Sequence, residues 1–355
     1  MGVDEKTMEL LRPEPEAPDL DLSWLQPGSE WGVRAVAGRR GLTLDEITQG
    51  SYGEAPEHSE NRSMRPRGAA PRPAVPRLGY PVALKADVWS ENAAMLYEEA
   101  VQRQWSSATD IPWETLRPLP DDVERAMCQL CTFLTEVEFI AGDTPGQWRP
   151  KISNDHYETK LFLMTQIMDE ARHLDVFRKR ALANGGGLLR ASPGAGLRNI
   201  IDAKDFTEMS TIMHVVAEGF VQSLFRMGET ISTCEAEKRM FRLSAQDESR
   251  HVGFGVLHLK HMLEVQPERR EEVHAYLDKA EGVLRSTSIA ANPTSAEALA
   301  ILFGGGKDKI DEGRRMLFAV RRRQVNEYMQ RLKVCGLPER RERMNPFMKA
   351  ALDPD

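Results

Sequence analysis

The pentapeptide Asp-Glu-x-Arg-His occurs twice in the chain, at residues 169–173 and again at residues 247–251. Each copy lies in a long stretch that favours helix, so the glutamate and the histidine three residues later share one helix face and can bind the same metal ion. These pairs are Glu170 with His173 and Glu248 with His251. A bundle with two such helices needs two further carboxylates, one from each remaining helix, to complete a dimetal site.

Two glutamates precede these motifs at similar distances. Glu138 stands 32 residues before Glu170 and Glu218 stands 30 residues before Glu248, which indicates one helical hairpin used twice. Burying a carboxylate on an apolar helix face is costly unless a metal ion or another partner compensates its charge. Glu138 lies on an apolar stripe, whereas the stripe through Glu136 is more polar. Glu138 is therefore the preferred first ligand, and Glu136 is the alternative.

Local signals predict where the helices begin and end. Residues 232–235, with the sequence Ser-Thr-Cys-Glu, look like a capping box, so a new helix is expected to start there. Pro145 and Pro150 predict that the helix of Glu138 ends soon after that residue. The second hairpin should therefore be the more regular of the two.

Two residues near Glu218 have special interpretations. Gly219 costs about 1 kcal/mol in a helix relative to alanine, so it predicts close backbone packing or a local distortion of the helix. His214, one turn before Glu218, is interpreted as a satisfied core histidine or as a residue that supports the ligands from behind. A direct ligand role for His214 is the weaker alternative.

These motifs resemble those of the di-iron carboxylate proteins of the ferritin-like superfamily, most of all the branch with ribonucleotide reductase small subunits, ligand-binding oxidases and bacterial multicomponent monooxygenases. The resemblance covers roughly residues 85 to 290. It implies an all-α, ferritin-like four-helix bundle with additional flanking helices. It also implies iron ligands at Glu138, Glu170, His173, Glu218, Glu248 and His251. Around them, Asp169 and Asp247 would accept hydrogen bonds from the ligand histidines and would be held by Arg172 and Arg250.

Several positions depart from the patterns of these relatives. Radical-forming reductase subunits carry a tyrosine seven residues after the glutamate of the first Glu-x-x-His motif, where this chain has Phe177. Ligand-binding oxidases crosslink a valine to a tyrosine at the positions of Ala141 and Met213, so no such crosslink is expected here. Aryl-amine N-oxygenases have a third histidine where this chain has Ser244. Because Phe177 replaces the radical tyrosine and residues 345–355 contain no tyrosine, ribonucleotide reduction is disfavoured.

Four carboxylates and two imidazoles form an oxygen-rich donor set suited to two iron ions, or to manganese with iron. We expect a di-iron-dependent oxidoreductase, an oxygenase or oxidase that uses O2 to oxidise a small organic substrate. Helical phase places an apolar pocket beside the metals, lined by Phe133, Ala141, Phe177, Met213 and Phe220. No flavin or iron–sulfur motif is visible, so a monooxygenase would need a separate electron donor, a reductase or a ferredoxin.

Two alternative functions remain. A protein like the small subunit of ribonucleotide reductase would use a metal-based oxidant without a tyrosyl radical and would act in a complex with a large subunit. Iron storage or a structural role is the third hypothesis. It is disfavoured because storage ferritins are far shorter than these 355 residues and need no long N-terminal segment.

Composition sets the remaining bounds. A net charge of −7 and a pI near 5.8 argue against nucleic-acid binding. No apolar run is long enough to span a membrane and the acidic start does not resemble a signal peptide, so a cytoplasmic location is expected.

Residues 1–80, rich in proline, arginine and glycine, predict an extended, partly disordered N-terminal arm. Residues 81–355 are predicted to form the ferritin-like dimetal domain with its C-terminal helices, and a homodimer is one option.

Overall fold

The computed structural model describes residues 5–10, 19–20, 22–25, 34–192, 198–286 and 293–352. Within these ranges the regular elements are helices, and β-structure is limited to isolated bridges. The predicted all-α class is confirmed. The α-helices are α1 (Glu5–Leu10), α2 (Leu44–Ile47), α3 (Ala93–Gln102), α4 (Asp121–Trp148), α5 (Tyr157–Ala183), α6 (Arg198–Ile201), α7 (Phe206–Ser210), α8 (Glu218–Ile231), α9 (Glu235–Val265), α10 (Arg270–Ser286), α11 (Pro293–Gly304), α12 (Ile310–Val334), α13 (Arg340–Arg343) and α14 (Pro346–Leu352).

Shorter helical segments connect these elements. A π-helical segment, Thr211–Ala217, joins α7 directly to α8. The 3-10 segments are Ser23–Leu25, Gly50–Tyr52, Lys85–Asp87, Trp113–Thr115, Arg149–Lys151, Asn154–His156, Pro267–Arg269 and Lys307–Lys309. None of the described helices is both long and apolar enough to cross a bilayer.

Two helical hairpins form the central bundle. Helices α4 and α5 pack along each other, as do α8 and α9, and α5 also contacts α9. Helix α3 covers α5, helix α10 packs on the π-helical segment, and the α11–α12 pair lies against α4 and α8. Every sequence motif with proposed chemistry therefore lies on one of the four central helices.

The buried apolar side chains of the described residues form two separate clusters. Along α4, Leu134 belongs to one cluster and Ala141 to the other. The same change of cluster occurs along α9 between Ala245 and Val252. The acidic residues lie between these levels, so a polar layer crosses the bundle between two apolar halves.

The described part of the N-terminal arm wraps the bundle without forming a long helix. Ser59 donates a hydrogen bond to Asp155 at 2.7 Å, and Arg67 forms a buried ion pair with Glu158 at the start of α5. The backbone N–H of Leu44 donates to Glu98 on α3. These contacts fix the arm to α3 and to the end of the α4–α5 hairpin, while the domain division at residue 80 stays a prediction.

The helix end predicted from Pro145 and Pro150 falls between the two prolines, because α4 continues through Pro145 and ends at Trp148. Proline lacks an N–H and so deprives the carbonyl of Ala141 of its helical partner. Only this one helical hydrogen bond is lost, and α4 ends three residues after Pro145. The second proline, Pro150, lies in the 3-10 segment that follows.

A helix starts within residues 232–235, as predicted, but α9 begins only at Glu235 and the capping box is absent. Cys234 is the N-cap residue and makes no side-chain cap hydrogen bond. The hydroxyl of Ser232 instead donates to the carbonyl of Gly228 at 2.6 Å, at the end of α8. The serine therefore closes the preceding helix.

Candidate dimetal site

Six buried side chains from the four central helices converge in the polar layer. Glu138 comes from α4, Glu170 and His173 from α5, Glu218 from α8, and Glu248 and His251 from α9. They form two groups that could each hold a metal ion, and within each group the ligand atoms lie within 4.8 Å of one another. The first group is Glu138, Glu170, His173 and Glu248; the second is Glu170, Glu218, Glu248 and His251. Glu170 and Glu248 belong to both groups, as expected of carboxylates that bridge two ions.

Both histidines turn the same nitrogen towards the carboxylates. The Nδ1 atoms of His173 and His251 lie 3.0 and 3.1 Å from the oxygens of Glu170. The Nε2 atom of His173 lies 3.2 Å from Asp247, and that of His251 lies 3.2 Å from Asp169. An N–H at Nε2 donates to the aspartate and leaves the Nδ1 lone pair free to bind a metal. Each histidine uses the aspartate of the other motif.

Two arginines link these aspartates. Arg250 donates to Asp169 at 2.8 Å and to Asp247 at 2.6 Å, and Arg172 contacts both carboxylates as well. The resemblance implied such a layer of aspartates and arginines behind the histidines, and its functional role stays a prediction. The layer ties α5 to α9 and fixes both imidazole rings.

Sequence reasoning missed Trp105. Its Nε1–H donates to Asp247 at 2.7 Å, and its ring stacks on His173 with centroids 6.4 Å apart. Trp105 lies in the connection after α3, outside both repeated motifs. No local spacing in the sequence relates this residue to Asp247.

The cluster contains buried polar atoms that lack hydrogen-bond partners. They are Glu138 Oε1, Glu170 Oε1, Glu218 Oε2, Glu248 Oε2 and His251 Nδ1. Burial, together with the neighbouring carboxylates, raises the pKa of both Glu138 and Glu218 well above the usual range. An unpaired buried carboxylate is unfavourable, and bound cations would remove this cost. The donor set therefore fits two hard divalent ions.

Glu138, rather than its alternative Glu136, reaches the cluster. Glu138 is buried, whereas Glu136 is half-buried and accepts hydrogen bonds from the backbone N–H of Ser192 at 3.0 and 3.1 Å. Two residues along a helix correspond to a rotation of about 200°, so the two side chains leave α4 in nearly opposite directions.

The backbone before Glu218 is distorted and closely packed, as Gly219 predicted. The distortion is the π-helical segment Thr211–Ala217, whose last residue precedes Glu218. Arg331 of α12 donates from Nε to the carbonyl of Val215 at 3.0 Å. A Cβ atom on Gly219 would lie 2.3 Å from Cζ of Arg331. The absence of a side chain at Gly219 therefore leaves room for the guanidinium beside the π-helical segment.

The Gly219→Ala substitution should destabilise the protein only while Arg331 is present. The new methyl group displaces the guanidinium, a clash that costs about 1–3 kcal/mol and outweighs the gain of about 1 kcal/mol in helix propensity. In an Arg331→Ala background the same substitution should be stabilising by about 1 kcal/mol. Unfolding free energies of the four proteins form the double-mutant cycle. Equal effects of Gly219→Ala in both backgrounds would disprove the close contact.

His214 does not enter the cluster. It is buried and hydrogen-bonds to Gln166, whose amide contacts Glu218. The prediction of a satisfied histidine behind the ligands agrees with this position.

A small cavity of about 30 Å³ adjoins the cluster between α4 and α8. Its lining is Val137, Glu138, Ile140, Ala141, Ile200, Met213, Ala217, Glu218, Val221 and Glu248. This volume accommodates one or two water-sized molecules. A larger guest would require side chains to move, and the flexible Met213 is suited to do so.

Of the five residues predicted to line a pocket, Ala141 and Met213 line this cavity and the three phenylalanines do not. Phe177 packs against Phe225 and Phe241, with ring centroids 5.2 and 6.0 Å apart. Phe220 is directed to Tyr328 on α12, and Phe133 is only partly buried beside the second apolar cluster. Helical phase gave the direction of these side chains but not the neighbouring helix that each one meets.

No protein-family model matches the chain, and no curated protein matches it. Several solved structures are similar to it in fold. An R2-like ligand-binding oxidase with an aerobically reconstituted metal cofactor after photoconversion aligns with a TM-score of 0.55 and 16% identity, over 69% of this chain and 94% of the other. An R2-like ligand-binding oxidase with an aerobically reconstituted Mn/Fe cofactor aligns with a TM-score of 0.54 and 18% identity, over 69% and 93%.

The chain has the ferritin-like fold of these oxidases. Identities of 16 to 18% establish the fold alone. The aligned share of this chain leaves roughly a third outside the comparison, so the chemistry must be argued from the residues of this chain. Ferritin-like bundles build metal sites from inward carboxylates and Glu-x-x-His pairs, the residue types found in this cluster.

Proposed function

We propose that this chain is a dimetal-dependent oxidoreductase that uses O2 to oxidise a small organic substrate. The observation that carries the proposal is the pair of overlapping four-residue groups that share Glu170 and Glu248. Solved structures with the same fold include R2-like ligand-binding oxidases with a reconstituted Mn/Fe cofactor, which supports the assignment to this class. Two iron ions, or manganese with iron, are the proposed cofactor.

The six candidate ligands would be distributed between the two ions of such a cofactor. Glu170 and Glu248 would bind both ions, Glu138 and His173 one of them, and Glu218 and His251 the other. The bound pair of ions would supply the redox chemistry that reduces O2. Asp247 and Asp169 fix the histidine tautomers through Nε2, so that Nδ1 stays a ligand. The apolar surroundings exclude bulk water from the site.

The proposed reaction needs an electron source. Insertion of one oxygen atom into a substrate consumes O2, two electrons and two protons, and it releases water. A separate reductase or ferredoxin would supply the electrons, unless the substrate provides them by being dehydrogenated. The cavity beside Ala141 and Met213 is the proposed entry point for O2 and for the reacting end of the substrate.

The function is tested by loading the protein anaerobically with Fe(II) and then measuring O2 consumption with candidate substrates and a chemical reductant. We expect two ions per chain and O2 consumption coupled to product. The Ala141→Ile variant, which fills the cavity, should still bind two ions but consume O2 about tenfold more slowly, corresponding to about 1.4 kcal/mol in the barrier. Unchanged rates in this variant would exclude the cavity as the O2 route. A persistent tyrosyl radical after O2 exposure would instead favour the reductase-like alternative.

A further inference from the structure

A chain of buried hydrogen bonds extends from Glu218 away from the six candidate ligands. The amide nitrogen of Gln166 donates to Glu218 Oε1 at 2.9 Å. The other end of that amide, Oε1, lies 3.2 Å from Nε2 of His214, and His214 Nδ1 lies 2.8 Å from the hydroxyl of Ser210. Gln166, His214 and Ser210 are all fully buried.

The direction of every hydrogen bond in this chain follows from the chemistry of Glu218. A carboxylate that binds a metal ion is ionised and only accepts hydrogen bonds, so Gln166 would present its NH2 group to Glu218 and its oxygen to His214. His214 must then carry its proton on Nε2, and Nδ1 must accept from the hydroxyl of Ser210. Burial, together with the neighbouring His251 and His258, lowers the pKa of His214 well below its usual value, which keeps the ring neutral.

The surroundings of His214 hold the ring in this orientation. Its ring packs edge-on against Phe254 of α9, with centroids 5.5 Å apart. A Cβ atom on Gly255 would lie 2.3 Å from Cβ of His214, so the close packing of His214 against α9 depends on a glycine at this position. The π-helical segment carries His214 one turn before Glu218. The imidazole of His214 is therefore fixed relative to the carboxylate of Glu218, to which it is linked through Gln166.

We propose that Gln166, locked by His214, is a positioning residue that holds Oε1 of Glu218, the oxygen 3.7 Å from Nδ1 of His251, and so fixes this carboxylate relative to the other ligands. The Oε2 atom is buried and has no hydrogen-bond partner. With one oxygen held by the amide of Gln166, Glu218 would keep a single orientation towards a bound ion and would resist reorientation. This inference rests on the proposed dimetal function, because Glu218 needs an ion to bind.

The proposal also assigns a role to the distortion before Glu218. The π-helical segment moves His214 and Glu218 out of regular helical register, and π-bulges commonly occur at functional sites. The distortion allows the histidine to meet Gln166 while Glu218 faces the cluster. Ser210, the last residue of α7, completes the chain at the start of the distorted segment.

The test is an anaerobic titration with Co(II), whose visible absorption and magnetic circular dichroism report the coordination of each ion. Gln166→Met keeps the shape of the side chain and removes the donor. It should still bind two Co(II) ions, with one bound about 10–100-fold more weakly and with an altered spectrum. His214→Phe should shift the spectrum in the same direction, whereas His214→Gln, which keeps an N–H donor towards Gln166, should restore the wild-type spectrum.

A matched control separates positioning from packing. His258 is also fully buried, packs against the same Phe254, and hydrogen-bonds to Thr207 and to the carbonyl of Trp89. His258→Phe should lower stability and leave Co(II) affinity and spectrum unchanged. A spectral change as large as that of His214→Phe would overturn the positioning role.

The outcomes distinguish this inference from the proposed function. Wild-type protein that binds no Co(II) would contradict the dimetal function itself. Wild-type protein with two ions, together with a Gln166→Met variant of identical affinity and spectrum, would contradict only the role of Gln166. If Gln166→Met does not fold, the comparison of His214→Phe with His214→Gln decides, because a positioning role requires their spectra to differ.

Discussion

Glu170→Ala and Glu248→Ala should each abolish the binding of both metal ions. Each carboxylate belongs to both four-residue groups, so its removal takes a ligand from each ion at once. Glu138→Ala and Glu218→Ala remove a ligand from one group only and should leave one ion bound more tightly than the other. Metal content after anaerobic Fe(II) loading and desalting measures the difference.

Glu136→Ala is the matched control for this prediction. It removes a carboxylate from α4 only two residues before Glu138, but from a side chain that binds the backbone of Ser192 outside the cluster. This variant should keep two ions per chain. Retention of both ions by Glu170→Ala, or loss of both by Glu136→Ala, would show that the six-residue site is assigned incorrectly.

The sequence was sufficient to predict that the six side chains come together because this depends on local periodicity, whereas the fold class followed from the resemblance of the two motifs to those of ferritin-like proteins. A Glu-x-x-His spacing places two ligands on one helix face irrespective of what surrounds the helix. The repeated distances to Glu138 and Glu218 predicted which helices pair. The choice of Glu138 over Glu136 followed from the apolar stripe, since the face that is buried is the apolar one.

The features that sequence reasoning missed depend on contacts between distant residues. Trp105 reaches Asp247 across 142 positions of sequence, and Arg331 reaches Val215 across 116. No spacing rule relates such pairs. The crossed pairing of each histidine with the aspartate of the other motif also depends on how α5 and α9 pack, so it could not be read from either pentapeptide alone.

The position of Phe177 also could not be predicted from helical spacing alone. Phe177 lies one turn beyond His173, which suggested that it faced the substrate. The structure places its ring within the second apolar cluster, away from the cavity. Met213 lines the cavity, so Met213→Ala is the variant expected to change substrate range.

Phe177→Ala should therefore act on stability rather than on the substrate pocket. The side chain is completely buried and packs on Phe225 and Phe241. Removal of a fully buried phenylalanine ring loses its transfer free energy and leaves a cavity, with a total cost of about 3–5 kcal/mol. Phe225 in turn packs edge-on against His173, with centroids 6.3 Å apart, so loosening this aromatic group also loosens the wall behind one ligand.

Chemical unfolding at one saturating metal concentration measures this loss, because bound ions stabilise the folded state by an amount that depends on their concentration. Phe318→Ala is the control, since Phe318 is half exposed on α12 and its loss should change the unfolding free energy by no more than about 0.5 kcal/mol. The Phe177→Ala protein should retain two ions and its substrate preference. A stability loss below about 1 kcal/mol would contradict the buried packing of Phe177. A changed product with an unchanged unfolding free energy would place Phe177 at the substrate pocket.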